Sequence, residues 1–308
     1  LEVATIFREH REHIERSESF MVSYNNQFFH GERSLFGQEN ATIVKTTFGK
    51  GESPLKESRN IKLDQSIFLY KYPLWYSQHI TVANTIFETM ARSGIWYTND
   101  ITMSDSAIQA PKTFRRSQNI RLKNVHFSDA SESLWNCNHI SFDHVQASGN
   151  YIGMNSTNIV ANHLDLIGDY AFDGAKNVEI HHSTLVTKDA FWNCENITIY
   201  DSTINGAYLG WNTKNLTLIN CTIESNQGLC YVDHLTMKNC ALLHSDLVFE
   251  YSTNINADIC SDIISVKNPS SGNIRAQSIG NIILEADKIE PAKTKITVTQ
   301  PSEIKQSA

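Results

Sequence analysis

A polar turn residue followed at once by an aliphatic one recurs along this chain at a nearly fixed interval, and no other feature constrains the fold as tightly. It reads Asn177-Val178, Asn196-Ile197, Asn215-Leu216, His234-Leu235 and Asn254-Ile255, with steps of 19, 19, 19 and 20 residues between the aliphatic positions. Helices and strands repeat on far shorter periods, so neither generates this beat. A period of this length marks a solenoid, in which each repeat is one coil that buries its face only against its neighbours.

Followed outwards, the aliphatic position falls at Ile61, Ile80, Ile101, Ile120, Ile140 and Ile159, and again at Ile274, with Asn40-Ala41 read as the first start. The residues immediately before are Asn60, His79, Asp100, Asn119, His139, Asn158 and Asn273. A column of short amides at a tight turn satisfies backbone groups at the bend and stacks on the copy above it, an asparagine ladder. After each start the residue two later is also apolar (Ile197/Ile199, Leu216/Leu218, Leu235/Met237), which is strand alternation. A small residue follows a bend (Ser183, Ser202, Cys221, Cys240), with an aliphatic two beyond it (Leu185, Ile204, Ile223, Leu242). The expected fold is all-β: a single-stranded right-handed parallel β-helix with three parallel sheets and about twelve coils of 19–21 residues. A leucine-rich horseshoe is excluded, because its leucine spacing and helical return segment are both missing.

Residues 1–26 read as an N-terminal extension, with a helical stretch at 3–18 able to cap the open edge of the first coil. The β-helix is expected over 27–290. Residues 291–308, broken by Pro291 and Pro301, read as a closing cap and tail. The stretch after Met21 has no basic head or apolar core of a secretory signal, and no apolar run is long enough to span a bilayer. With six cysteines and no CxxC pair, the expected compartment is the cytoplasm and the expected thiols are free. Cys221, Cys240 and Cys260 share one place in successive coils and are expected as a buried column. A formal net charge of −7 argues against nucleic acid or an anionic membrane as partner.

Chemistry is sought by indexing each coil backwards from its turn. Five residues before it stands an inward apolar column that includes Leu134, Phe172, Phe191 and Phe249. Four before it come Trp75, Trp96, Arg115, Trp135, Met154, Asp173, Trp192, Trp211, Cys230 and Glu250; three before it come Tyr76, Tyr97, Arg116, Asn136, Asn155, Gly174, Asn193, Asn212, Tyr231 and Tyr251. Unpaired charges are costly to bury, so Arg115, Asp173 and Glu250 argue that the tryptophan column faces outwards. Strand parity supports the opposite, inward orientation, since the positions four and two before the turn share a side.

An outward stripe of Trp135, Trp192 and Trp211, edged by Asn136, Asn193, Asn212, Arg115, Asp173 and Glu250, suits sugar rings stacked on indoles, with amides for the hydroxyls. The partner expected is an oligo- or polysaccharide; the alternative is a homo-oligomeric or scaffold interface on the same stripe. Catalysis has thinner support. Glycoside cleavage needs two carboxyl groups within about 5–9.5 Å. Asp173 and Glu250 stand four coils apart, about 19 Å at sheet spacing. Asp169 and Asp189, with Lys188 beside the second, are the one candidate pair, although loop aspartates such as these and Asp129 or Asp246 are more often turn formers. No HxH or HExxH arrangement is present, so no metal or cofactor is expected.

The runs GERSLFG (31–37), GESPLKES (51–58), KYPLWYS (71–77), MARSGIWYT (90–98), APKTFRR (110–116), FDGAKN (172–177), KDAFWN (188–193), LGWN (209–212) and FEYST (249–253) resemble a bacterial domain-of-unknown-function family with a pectin-lyase-like right-handed β-helix. The likeness covers residues 27 to about 295. It implies the fold and no particular reaction, because that family has none established. The paired Asp motifs and Gly-His-Gly of polygalacturonases are missing here, as is the calcium and arginine arrangement of pectate lyases, so neither chemistry carries over.

Overall fold

The computed structural model describes residues 21–300 and 305–307, so the helical stretch expected at 3–18 lies outside the described residues. The chain is a right-handed parallel β-helix. Fourteen successive parallel pairings join fifteen strands into one long sheet, from Val22–Asn25 to Thr294–Val298. The stack therefore holds about fifteen turns rather than twelve, and it begins before residue 27 and runs past residue 290. The extra coils are at the two ends, where the turn–aliphatic signature fades from the sequence.

Each coil repeats one wiring. Residues one period apart pair along the sheet, so that Val178, Ile197, Leu216 and Leu235 are successive partners. Ile197, Ile199, Leu216 and Leu218 are all at most 1% exposed, while Thr198 and Thr217 between them face outwards. Strand alternation thus turns a two-residue pattern into an inner and an outer face. The chain then bends into a second sheet, seen in Thr184–Val186, Thr203–Asn205 and Thr222–Glu224. In the middle coils one continuous strand, such as Asn138–Ser148 or Thr157–Ile167, runs through that bend. The third side is closed by turn backbone hydrogen-bonded from coil to coil, as in Phe191 N–H to the Ala171 carbonyl and Asn193 N–H to that of Trp211, both 2.9 Å. Bridges join Trp96, Arg115 and Trp135 there, and Asp262–Lys267, Ser278–Ile283 and Lys305–Ser307 form a small sheet near the C-terminal end.

Turning a corner without helix requires residues in the left-handed region, which costs an ordinary L-residue roughly 1–2 kcal/mol and is easiest for Asn and Gly. Asn177, Asn196 and Asn215 take φ of 55°, 59° and 55°. Their amides offset that cost: Asn196 Nδ2 donates to Asn177 Oδ1 at 2.9 Å, and Asn215 Nδ2 to Asn196 Oδ1 at 2.8 Å.

The core is a column structure too. Phe48, Phe68 and Phe87 stack at centroid distances of 4.6 and 4.9 Å and are at most 2% exposed. Such pairs add about 0.5–1.5 kcal/mol each beyond their buried area. Gly153 marks one close approach in the core: at φ +74°, a Cβ would meet the Phe172 ring of the next coil at 2.6 Å. Cys137, Cys194, Cys221, Cys230 and Cys240 are buried free thiols, and burial pushes Cys137 and Cys230 up to about 12. Cys260 departs from the expected buried column and is exposed, because its coil lies where the register shifts between Met237 and Cys240 and the regular period ends. Among the described residues, no helix is long and apolar enough to cross a membrane.

Candidate functional site

The tryptophan column lies on the outside of the third side. None of the five indoles belongs to the core; all are partly buried. Parity misleads here because the backbone does not alternate as a strand. Asp189, Phe191 and Asn193 take φ of 57°, 58° and 55°, so Phe191 points inwards, Trp192 lies over the surface, and Cys194 turns in again.

Every indole is pinned. The Nε1–H of Trp135 donates to the Tyr151 carbonyl at 2.6 Å, that of Trp192 to Tyr208 at 2.8 Å and that of Trp211 to Gln227 at 2.7 Å. Trp75 and Trp96 do the same to Ser93 and Lys112. Each ring is therefore bolted to the backbone of the following coil.

The rings also stack on one another. Trp192 and Trp211 lie 5.5 Å apart at 13°, and Trp75 and Trp96 lie 5.1 Å apart at 8°. Arg115 fills a rung between two indoles, its guanidinium carbon 4.9 Å from the Trp96 ring and 4.3 Å from that of Trp135, and its Nη2 reaches Glu132 at 2.7 Å. This cation–π sandwich explains why an arginine can stand in an aromatic column. Neighbouring rungs thus cover one face of Trp135 and of Trp192 and both faces of Trp96.

Beside the indoles runs the amide column. Asn193 Nδ2 donates to Asp173 Oδ1 at 3.1 Å and Asn212 Nδ2 to Asn193 Oδ1 at 2.9 Å, all three outward. Asn136 is exposed, one residue after Trp135. Glu250 is set apart: it pairs with Lys267 at 2.8 Å, its side chain 15% exposed. The structure therefore brings Asp173, Trp192, Asn193, Trp211 and Asn212 together, places Arg115, Trp135 and Asn136 further along the same stripe, and keeps Glu250 near one end.

Asp169 and Asp189 occupy neighbouring columns. Asp169 follows Asn150: the Asn150 side chain accepts from Asp169 N–H at 2.9 Å, and Asp169 accepts from Lys188 N–H at 3.3 Å. Asp189 instead follows Tyr151 and Tyr170, whose rings stack at 4.7 Å. Its side chain is 3% exposed, with Lys188 Nζ 3.6 Å away. Burial holds its carboxyl above the usual carboxylate range, against the opposing pull of Lys188 and the Tyr170 hydroxyl. Tyr170 in turn is raised, chiefly by the Asp189 charge, and its ring meets Trp192 edge-on at 6.1 Å. The tyrosine column was overlooked in sequence, although its 19-residue step was visible.

Among the described residues no group of three or more His, Cys, Asp and Glu side chains is arranged to hold a metal ion. Sequence reasoning also overlooked His144, His163 and His182, which line a surface groove. Their signal was the same 19-residue spacing, concealed because it falls on a second corner of the coil.

Fold and stripe define a class: a parallel β-helix whose third side carries a pinned aromatic ladder. Residues 22–297 match the family described as "Protein of unknown function (DUF3737)", and the chain belongs to it. No curated protein matches. Among solved structures, the chain is similar to PfbA, a surface adhesin of Streptococcus pneumoniae, at 10% identity and a TM-score of 0.48, over 77% of this chain and 85% of that one. It is similar to the tailspike protein of E. coli bacteriophage HK620 at 7% identity and a TM-score of 0.40, over 90% and 71%. The Azotobacter vinelandii mannuronan C-5 epimerase AlgE4 A-module is matched at 9% identity and a TM-score of 0.30, over 96% and 90%. Likeness at this level is one of fold.

Proposed function

We propose that the protein binds an oligo- or polysaccharide along the stripe formed by Trp135, Trp192 and Trp211 with Asn136, Asn193 and Asn212. The observation that supports this reading is the pinning of every indole by its Nε1–H. A ring already fixed loses little freedom on binding, which is what a preorganised contact surface requires. The indoles give an apolar strip, and the amides keep outward hydrogen-bonding capacity for hydroxyl groups. Trp192/Asn193 and Trp211/Asn212 stand on adjacent coils and Trp135/Asn136 three coils before them, so the groups form a line along the axis that suits an extended polymer. Arg115 extends the strip with charge, Asp173 adds charge within it between Trp135 and Trp192, and Glu250 with Lys267 bounds it.

Asp169, Asp189 and Lys188 carry the weaker proposal of catalysis. Their present engagements favour a structural part, with Asp169 capping the next coil and Asp189 tied to Tyr170 and Lys188.

The test is a glycan array probed with the full chain and with a Trp192→Ala/Trp211→Ala variant. Binding of at least one glycan, weakened tenfold or more in the variant, is expected. An array without a hit, or a hit indifferent to the double substitution, overturns the proposal. A second reading, self-association through the same stripe, draws on Tyr76 and Tyr231, each 46% exposed in its amide column. Sedimentation separates the two, since a concentration-dependent dimer that the double substitution dissolves favours the interface.

A further inference from the structure

The corner between the first and second sheets carries its own column of left-handed residues. Asp105, Asn124, His144, His163, His182, Asp201 and Asn220 take φ from 47° to 54°. At both ends this column is knitted by amides: Asn124 Nδ2 donates to Asp105 at 3.0 Å and Asn220 Nδ2 to Asp201 at 2.9 Å. Three successive coils in the middle abandon that arrangement. Their imidazoles stack instead, His144 on His163 at 4.4 Å and 8°, and His163 on His182 at 5.5 Å and 31°. Asparagine would serve the corner better, as it tolerates positive φ and would continue the ladder bonds. Nothing in the packing asks for histidine here, since all three rings are exposed.

Next to the stack, the outward column of the second sheet contributes His126, Gln146 and Asp165 from consecutive coils. Together with the three imidazoles they line a groove of about 400 Å³. The surrounding charges are mixed. Asp143 touches the His144 ring at 2.6 Å and Lys123 at 3.7 Å, and Glu179 engages His181 at 2.7 Å, whose ring is 6.3 Å from that of His182. Asp201 follows His182 in the corner column and Asp165 faces the groove itself. With those carboxylates present, a cationic groove exists only when the imidazoles are protonated.

We propose that this groove is a second, separate binding site, for an acidic glycan with one anionic group per sugar, and that protonation of the histidine stack drives its capture. The ring spacing is close to the advance of one pyranose unit in an extended chain, so each coil meets one sugar. Anionic groups meet the imidazoles, while the Gln146 amide and the Asp165 carboxylate take hydroxyl groups. A chain of phosphates without hydroxyls would gain nothing from Gln146 and would be repelled by Asp165. The overall negative charge of the protein acts at longer range and is screened within about 8–10 Å at ordinary salt.

Calorimetric titration of the full chain tests this with three linear oligosaccharides of equal length, carrying one carboxylate per sugar, one sulfate per sugar, or no charge. With binding measured at about pH 5.5 and about pH 8, at least one acidic chain is expected to bind tenfold or more tightly at the lower pH. Which one does so distinguishes carboxylate from sulfate. A His144→Asn/His163→Asn/His182→Asn variant is expected to lose that binding while melting at or above the wild-type temperature, because it restores the ladder. A single His163→Gln substitution provides a milder second variant, expected to weaken binding at low pH. The Trp192→Ala/Trp211→Ala variant is expected to bind normally, which separates this groove from the aromatic stripe. Equal binding of the uncharged chain, affinity indifferent to pH, or unchanged binding by the triple variant would each overturn the proposal.

Discussion

A carboxyl group at the corner held by Asp189 meets opposing demands. The left-handed backbone there, φ 57°, suits a short polar side chain, but the site leaves only 3% of that side chain in contact with water. Desolvation outweighs Lys188 and Tyr170, so the folded-state pKa is raised. A carboxylate raised in this way costs stability at neutral pH, and the cost disappears as pH falls through the folded value towards the unfolded one, near 3.8. An Asp189→Asn variant keeps the backbone preference and the Tyr170 contact without the charge. It is expected to melt above wild type at pH 7, with the difference closing in acid; equal melting curves at both pH values would show that Lys188 fully compensates the charge. The sequence showed Asp189 as one loop aspartate among several. Its burial was illegible because its neighbour Tyr170 is supplied by the preceding coil, 19 residues earlier.

At the scale of the element, the turn ladder is where local preference and long-range bonding reinforce each other. Asn196 both donates to Asn177 and accepts from Asn215, and it sits at φ 59°. Asn196→Ala removes two exposed amide bonds and introduces the left-handed penalty, a loss of roughly 2–3 kcal/mol. Asn196→Gly removes the bonds alone and is expected to lose about 1 kcal/mol less. Urea denaturation midpoints falling in the order wild type, Gly, Ala support this; Ala equal to Gly would mean that the corner relaxes. This ladder was readable because its period is that of the chain itself. The tryptophan column was readable only in position. Its orientation depends on φ at Asp189, Phe191 and Asn193, and no composition of side chains announces that a turn replaces a strand.

The whole molecule is a stack of nearly identical turns, so its stability is close to a sum of coils and their interfaces. Removing one full period should therefore preserve every column. Excision of residues 178–196 joins Asn177 to Ile197 and leaves each inward residue facing inwards, because the ladder partners are 19 apart. That variant is expected to keep a β-sheet circular dichroism spectrum and a cooperative transition. Excision of 178–187 shifts one part of the coil against the rest and is expected to give an unfolded or aggregated chain. Should the full-period excision also fail to fold, the independence of the coils would be refuted.

The period, the inward aliphatic pairs and the corner amides determined the fold by themselves, because stacked coils force residues one turn apart into contact and identical neighbours then satisfy one another. What only the tertiary structure decided was the outer surface: which way the indoles lie, that their faces cover each other, that Asp189 is sealed, and that three histidines from different coils share one groove. Those outcomes depend on the small rotations of backbone at each corner, which set the direction of a side chain without leaving a mark on the sequence pattern.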